Sequence, residues 1–445
     1  MTTLTGLTAC EAAKKIRNGE ITSVQLVKAC LERIASREPV IGAWAYINPE
    51  RALEQARAAD AWMEKGDGVG PLHGVPVGIK DVIDTADMRT ENGSAIFAGR
   101  QPADDAACVT GLRQAGAVIL GKTVTTELAS LTPSATRNSV NPEHSPGGSS
   151  AGSAAAVADG MAPLALGTQT AGSVIRPASF CGVYAMKPTL GLISRTGVLL
   201  QSHTLDTVGV FGRCVEDLGL IVDSLSAQDL RDSASYPRSQ GSLSAVLKQP
   251  PPQPPKLAFC KTPAWPTADA ATAEAYLALV RSLGERCQEI VLPAAFDGIV
   301  EAQRAVQFAE NSAYYGPLLD RGREAMSAGM IRRLEQGATI PVRDYLQAII
   351  DRELRYAELE KILAGFDAII CPAAPGPAPR GFETTGDPVF NGLWTYLGVP
   401  CVTLPLLDVG GLPLGVQLVG ARRDDGRLLR TARWLNERRR PQTGG

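Results

Sequence analysis

Histidine is scarce in this sequence, with three residues among 445, and none occurs after His203. So few imidazoles make a histidine-rich metal site unexpected. They also argue against a hydrolase in which a histidine late in the chain activates the serine nucleophile, because no histidine follows His203. If a nucleophile is present, its base must be sought among other residue types.

Paired cysteines are also missing, although the chain contains nine cysteines. Their number is odd and they never form a CxxC pair, which argues against a disulfide framework or a zinc site. Reduced thiols in a cytoplasmic protein fit this usage best. We therefore expect no metal site built from cysteines. The cysteines are Cys10, Cys30, Cys108, Cys181, Cys214, Cys260, Cys287, Cys371 and Cys401.

No stretch offers the roughly 18 uninterrupted apolar residues of a membrane span. The N-terminal MTTLTGLTACEAAKK lacks a basic region followed by an apolar one, so it is not expected to be a secretory signal. Charge is nearly balanced, with 44 Lys and Arg against 46 Asp and Glu. This balance predicts neither nucleic acid nor an anionic membrane as a partner.

Helical and strand patterns alternate along the chain. Residues 1–65 are predicted to be helical, with Thr8 and Thr22 each opening a helix through a capping box and Asn48-Pro49 opening a third. Residues 70–225 alternate short apolar strands with Gly/Pro turns. A Pro-rich hinge at 249–256 precedes long amphipathic helices in 265–365, at about 268–287, 298–315 and 343–364. Residues 366–445 return to strands and end in a helix.

This alternation predicts an α/β fold, since apolar strands between helices indicate a sheet that is covered on both faces. We expect one compact domain spanning residues 1–445, with a central twisted mixed β-sheet. The C-terminal strands are expected to return to the sheet that begins before the hinge, which makes the helical region an insertion.

The chain is organised around residues 144–187, which hold two Gly/Ser-rich turns, one at Ser149 and one at Ser173. The alanine-rich run between them suits a helix packed close to its neighbours. Each serine alone could be a helix cap or a turn residue. Together, the two turns are predicted to form two walls of one site.

Two familiar patterns are present without their structural context. Gly116–Thr123 matches the phosphate-binding pattern GxxxxGK[ST], but its four variable positions are apolar and predict a strand rather than a loop of amides. Gly148–Gly152 matches GxSxG with Ser150 at its centre, yet a loop precedes it where a nucleophile elbow needs a strand.

Lys80 is a better candidate base. It ends the apolar strand VPVGI, where a solvated lysine is out of place. Burial disfavours the ammonium form and turns lysine into a usable base. A surface location is the alternative for this residue when it is considered alone.

These features together resemble the amidase signature family. The matching segments are GGSSAGSAAAVADG, GTQTAGS, VIRPASFCG, MKPTLG, GVPVGIKDVIDT and GLPLGVQLVG, and the resemblance covers nearly the whole chain. It implies an amidohydrolase of the EC 3.5.1 type with no cofactor and no metal. In these terms, 70–225 is the catalytic core and 265–365 the insertion that shapes the substrate pocket.

The resemblance implies a Ser-cisSer-Lys triad on Ser173, Ser149 and Lys80, with an acyl-enzyme on Ser173. The implied oxyanion hole is formed by the backbone amides of Thr170, Ala171 and Gly172. Three positions depart from the family pattern. Ala171 stands for a glycine, Gln169 for an aspartate, and Arg176 lies three places after Ser173 instead of two, while Pro177 is retained.

Substrate contacts are predicted around 307–319 and 390–396, with Gly148, Tyr314 and Trp394 as candidates and Tyr315 beside them. Ordinary core packing is the alternative for the aromatic residues. We expect a small-molecule amide substrate, no nucleic acid, no membrane and a possible homodimer. Two alternatives stay open: the glutaminase subunit of a tRNA-dependent amidotransferase, for which no charged residues that would grip glutamine can be located, and an inactive binding protein on the same scaffold.

Overall fold

The strands of the protein form one sheet, as seen in a computed structural model that describes residues 3–65, 69–238 and 241–439. The strands are β1 Trp44–Ile47, β2 Pro76–Lys80, β3 Val118–Thr123, β4 Leu164–Gln169, β5 Tyr184–Lys187, β6 Thr207–Gly212, β7 Leu257–Cys260, β8 Cys287–Ile290, β9 Ala368–Pro372, β10 Cys401–Val409 and β11 Leu412–Val419. The helices are α1 Ala9–Arg17, α2 Ser23–Ile41, α3 Pro49–Glu64, α4 Ala107–Gln114, α5 Ala151–Ala158, α6 Ile175–Cys181, α7 Val215–Leu225, α8 Leu243–Lys248, α9 Ala270–Leu283, α10 Ile299–Gly322, α11 Ala328–Ala338, α12 Val342–Leu363, α13 Val389–Tyr396 and α14 Asp425–Arg439.

The sheet has eleven strands in the order β1-β3-β2-β4-β6-β5-β10-β11-β9-β7-β8. Strands β3, β2 and β4 run parallel, as do β9, β7 and β8. The central strands from β4 through β6, β5, β10 and β11 to β9 pair antiparallel. The fold prediction of a single α/β domain with a mixed sheet is confirmed.

The C-terminal strands β10 and β11 lie between β5 and β9, inside the sheet. Strands from before and after the Pro-rich segment therefore share one set of hydrogen bonds. That segment, 249–256, connects α8 to β7 without regular structure.

The predicted helix starts carry their caps. Thr8 and Thr22 each accept the amide of the third helical residue and form complete capping boxes. The Asn48 side chain accepts the amide of Arg51, and Pro49 occupies the first helical position. These local signals set the helix starts because each satisfies an amide that has no partner within the helix.

Three predicted helical ranges are wrong in part. Trp44–Ile47 within 1–65 forms β1, and the helix expected at about 268–287 ends as α9 at Leu283. The helix expected at about 298–315 continues as α10 to Gly322 and contains Pro317. Proline interrupts one helical hydrogen bond, but the packing of α10 against α11 and α12 keeps the helix continuous.

Helix α5 packs unusually close to the sheet. A Cβ at Gly152 would lie 2.2 Å from the Ala43 carbonyl oxygen, so only glycine fits there. The other residues of α5 have small side chains, and nearly all of them are buried. This close approach fixes the loop that precedes α5 and holds Ser149. Among the residues the structure describes, no helix is long and apolar enough to cross a membrane.

Candidate active site

Lys80 is the last residue of β2 and its side chain is completely buried. Its Nζ lies 2.7 Å from Ser149 Oγ and 2.8 Å from Thr168 Oγ1. Burial lowers the pKa of Lys80 well below its ordinary value, and the carboxylate of Asp206 opposes that shift. Burial thus favours the neutral amine, which is the form that can accept a proton.

Ser149 lies in the turn before α5, and the peptide bond between Gly148 and Ser149 is cis. Its carbonyl oxygen accepts the amide of Thr126 at 3.1 Å. The neighbouring Ser150 instead directs its hydroxyl to the backbone of Thr168. The structure thus brings Ser149, and not Ser150, to Lys80.

Ser173 lies in the turn between β4 and α6, and Gln169 holds that turn together. The Gln169 Oε1 atom accepts the amides of Val174 and Ile175 at 2.8 and 3.0 Å. Its Nε2 donates to Thr395 Oγ1, which donates in turn to the Ala171 carbonyl oxygen. A neutral amide therefore braces the turn at the position where the family pattern has an aspartate.

The backbone of the same turn explains which small residues it needs. Ala171 does not adopt a positive φ, so its side chain is tolerated. A Cβ at Gly172 would lie 2.4 Å from Asn391 Oδ1 and 2.9 Å from Pro388 Cβ. Glycine is required at 172 because α13 approaches the turn from outside.

Thr170 is tied to Asp206, the aspartate of the LDTVG segment. Its hydroxyl donates to Asp206 Oδ1 at 2.5 Å, and Asp206 Oδ2 accepts the amides of Gln201 and Ser202. Burial raises the pKa of Asp206 to about 6, against the lowering effect of these hydrogen bonds. Asp206 thereby links the Ser173 turn to the charge balance around Lys80.

Arg176 is buried in the first turn of α6. Its Nη2 donates to the Gly148 carbonyl oxygen at 2.7 Å and to Thr385 Oγ1 at 3.2 Å. Burial lowers the pKa of Arg176 to about 10. Despite its shifted sequence position, this arginine connects the Ser173 and Ser149 turns.

Ser173 faces a cavity of about 540 Å³, and Thr170, Ala171 and Gly172 line the same cavity. Lys80 and Ser149 are not among the lining residues and lie behind it. The arrangement places Ser173 and the other residues of its turn against the cavity and the buried Lys80 amine out of solvent. Such a set can support attack on a carbonyl and stabilise the oxyanion that results.

The structure does not bring the predicted substrate residues Gly148, Tyr314 and Trp394 to this cavity. Trp394 is completely buried and donates its indole N–H to Cys371 Sγ at 3.2 Å, so it packs in the core. Tyr314 is exposed and, with Tyr315, lines a separate cavity near Phe97 and Arg100. Gly148 is buried in the turn, with its carbonyl on Arg176.

Charged groups that the sequence did not reveal lie in the cavity. Arg304 on α10 and Arg333 on α11 line it, and so does Asp387 just before α13. Gln303, Gln307 and Gln336 add uncharged amides. All of them come from elements more than 100 positions after Ser173. Gln307 falls in the predicted range 307–319, whereas no local motif marks the others. Within the described part of the chain, no group of three His, Cys, Asp or Glu residues is placed to hold a metal ion.

Comparison with known proteins gives consistent results. The family model Amidase matches residues 25–429. The A subunit of glutamyl-tRNA(Gln) amidotransferase from Carboxydothermus hydrogenoformans is 34% identical over 479 residues, which cover 96% of each chain.

Two solved structures share the fold. A vestigial protein complex that reveals the evolutionary origins of an s-triazine catabolic enzyme aligns with a TM-score of 0.91 at 27% identity, covering 97% of this chain and 98% of the other. A crystal structure of an amidase aligns with a TM-score of 0.86 at 30% identity, covering 97% and 100%.

These relatives correct the partner prediction. The prediction of a small-molecule amide alone, without nucleic acid, is wrong, because the curated relative is named as a subunit of an amidotransferase of glutamyl-tRNA(Gln). The possible homodimer stays a prediction. Near-neutral net charge does not exclude such a setting, since one component of a complex need not itself contact the nucleic acid. The match to the Amidase model and the identity over nearly the whole chain show that this chain belongs to the amidase signature family and is an enzyme that acts on amide C–N bonds.

Proposed function

We propose that the chain is the glutaminase component of an amidotransferase, which hydrolyses the side-chain amide of glutamine and supplies ammonia to a partner protein. The observation that carries this proposal is the charge of the cavity in front of Ser173. Arg304 and Arg333 offer cations for the α-carboxylate of glutamine, and Asp387 offers an anion for its α-ammonium group. The identity with the amidotransferase relative supports the same assignment.

Arg176 also lines the cavity but is bonded to the Gly148 carbonyl oxygen, and of Arg304 and Arg333 the latter is better placed to bind a substrate carboxylate. No ion pair ties it to a carboxylate within the described residues, and its guanidinium lies over the Phe308 ring at 5.1 Å. Burial lowers its pKa to about 10, which leaves it charged at neutral pH. A half-buried cation with an open partner position suits a substrate carboxylate.

In the proposed reaction, Ser173 Oγ attacks the carboxamide carbon of glutamine. Its proton passes to Ser149, whose hydroxyl in turn gives a proton to neutral Lys80. The backbone amides of Thr170, Ala171 and Gly172 stabilise the oxyanion, and each such donor typically lowers the barrier by about 3–4 kcal/mol.

The tetrahedral intermediate then collapses. The C–N bond breaks as Ser149 returns a proton to the leaving nitrogen, and ammonia departs. Water attacks the acyl-enzyme by the reverse route and releases glutamate. The buried base behind Ser173 keeps the proton relay apart from bulk water.

The matched test compares glutamine with butyramide, a primary amide of similar length that lacks both charged groups. The purified chain is expected to prefer glutamine. Arg333→Met should raise KM for glutamine by about tenfold to a hundredfold, as expected for a lost charged contact of about 1.5–3 kcal/mol. Butyramide hydrolysis should stay unchanged.

Arg332→Met is the control, because Arg332 is exposed on the same helix and outside the cavity. It should leave both substrates unaffected. Equal loss on glutamine and butyramide in Arg333→Met, or no preference for glutamine in the wild type, would refute the glutaminase assignment. A cytoplasmic location is part of the proposal and is supported by nine unpaired cysteines.

A further inference from the structure

Helix α12 carries an exposed apolar stripe, which consists of Val342, Leu346, Ile350 and Leu354. These side chains are 72%, 50%, 58% and 63% exposed. Successive members are four residues apart, so they lie on adjacent turns of one helix face. Single exposed aliphatic residues are ordinary on protein surfaces, but a contiguous row marks a contact surface.

The opposite face of α12 is already used by the fold. Ala348, Leu359 and Leu363 are buried there, and Tyr345 and Tyr356 pack against the same core cluster. Helix α12 is thus apolar on two sides, one toward the molecule and one toward solvent. The stripe adds nothing to the packing of this chain.

The edges of the stripe are acidic. Asp351 lies beside its C-terminal half and Glu360 just beyond it, and neither has an ion-pair partner within the described residues, whereas Glu353 pairs with Arg422 and Glu358 with Lys361. The exposed cations of α12, Arg343 and Lys361, each have an acidic partner, so the uncompensated charges beside the stripe are those of Asp351 and Glu360. Helices that lie on membranes carry Lys and Arg on their polar face, so an acidic border disfavours a lipid surface.

We propose that the stripe receives an amphipathic helix of a second, different protein chain, whose apolar residues are three or four apart and bordered by Lys or Arg. The stripe spans about 18 Å, or about three turns of helix. Apolar contact would supply affinity, and the acidic border would select a basic partner and orient it. The expectation that a partner protein exists rests on the proposed function, whereas the surface itself does not.

The test uses a synthetic 18-residue peptide with leucines at helical spacing and lysines beside them. Its binding to the full chain is measured by fluorescence anisotropy, with a scrambled peptide and a glutamate-bordered peptide for comparison. We expect only the lysine-bordered amphipathic peptide to bind. Leu346→Gln combined with Ile350→Gln should weaken that binding at least tenfold without changing the local charge.

The matched control is Leu230→Gln combined with Val291→Gln, because both residues are exposed and lie outside α12. It should bind the peptide like the wild type. Equal binding of the scrambled peptide, or no effect of the α12 double variant, would overturn the proposal. Two further results would also overturn it. One is a dimer that the wild type forms and the α12 double variant does not. The other is binding of the wild type, but not of the variant, to vesicles of phosphatidylcholine and phosphatidylglycerol.

Glutamine hydrolysis by both double variants separates the two proposals. We expect it to match the wild type, because α12 lies outside the Ser173 cavity. Peptide binding without any glutaminase activity would refute the proposed function alone. Glutaminase activity without specific peptide binding would refute the docking surface alone.

Discussion

The Arg176 guanidinium and the Gly148 carbonyl oxygen are joined by a hydrogen bond of 2.7 Å. Two other nitrogens of the same guanidinium, Nε and Nη1, have no hydrogen-bond partner although they are buried. A buried cation with so few contacts is costly to maintain. Its placement next to the residue before Ser149 indicates that it positions the proton relay.

We expect Arg176→Lys to lower kcat for glutamine about tenfold or more while changing KM little, because lysine cannot reproduce the fixed direction of the guanidinium donors. Steady-state kinetics measure both constants. Arg380→Lys, in an exposed pair with Glu143, is the control and should behave like the wild type. A rise in KM alone would assign Arg176 to substrate binding instead.

Substitution of the serines separates the two possible nucleophiles. Ser173→Ala should reduce kcat/KM by at least about a thousandfold with the fold intact, because the attacking oxygen is lost. Ser150→Ala should retain most activity, since the Ser150 hydroxyl bonds to the backbone of Thr168 and not to Lys80. Ammonia release and circular dichroism provide the measurements. Substantial turnover by Ser173→Ala would exclude the assigned nucleophile.

Lys80 should impose a pH dependence on both activity and stability. Because its folded pKa is lowered from the ordinary 10.5 by burial, kcat/KM should rise with pH through that folded pKa. In the window between the folded pKa and 10.5, the unfolded chain binds more protons, so stability also rises with pH.

Lys80→Met should abolish turnover and flatten the stability profile within this window. Thermal melts from about pH 6 to about pH 10 measure the slope. A kcat/KM that stays constant from acid to alkaline pH in the wild type would contradict the role of Lys80 as base.

Asp206 should shift the activity profile through its charge. Its carboxylate favours the ammonium form of Lys80, so Asp206→Asn should lower the pKa of Lys80 further. The rising limb of kcat/KM should then move to lower pH. Asp232→Asn, which removes the partner of Arg195 instead, is the comparison. An unmoved limb in Asp206→Asn would show that Asp206 does not act on Lys80.

Gly172→Ala should reduce kcat/KM about a hundredfold or more, because a Cβ would displace the oxyanion amides by contact with Asn391 Oδ1 at 2.4 Å. Combining it with Asn391→Ala should recover part of that loss. Recovery is limited because Pro388 remains close and the Asn391 amide bonds to Ala373 and Gln417 are lost. No recovery in the double variant would indicate that the backbone conformation, not the clash, demands glycine.

Local signals allowed much of this molecule to be predicted. The capping boxes at Thr8 and Thr22 set helix starts, because their hydrogen bonds lie within one turn. The string at 116–123 is largely strand β3, as its apolar positions indicated. Lys80 ends a buried strand because its apolar neighbours left it no exposed side. In each of these, residues close in sequence decide the outcome.

Sequence reasoning failed where distant elements meet. Trp394 and Tyr314 were predicted to contact substrate, but neither lines the Ser173 cavity. Which side chains of α13 and α10 face the cavity depends on how these two helices pack, and neighbouring residues in the sequence do not determine that. Arg333 and Asp387 escaped notice for the same reason, since each is an unremarkable charge until α11 and the segment before α13 are folded over Ser173. The bracing role of Gln169 needs Thr395, which lies 226 residues later.

The position of β10 and β11 inside the sheet has a consequence for synthesis of the protein. A nascent chain that has emerged from the ribosome only as far as β9 still lacks β10 and β11, the strands that join β5 to β9. It can therefore form only two separate half-sheets. Thr395 and Asn391, which contact the Ser173 turn, also emerge late. We therefore expect catalytic competence to arise only near the end of translation, with unfinished chains exposing sheet edges for chaperones to shield.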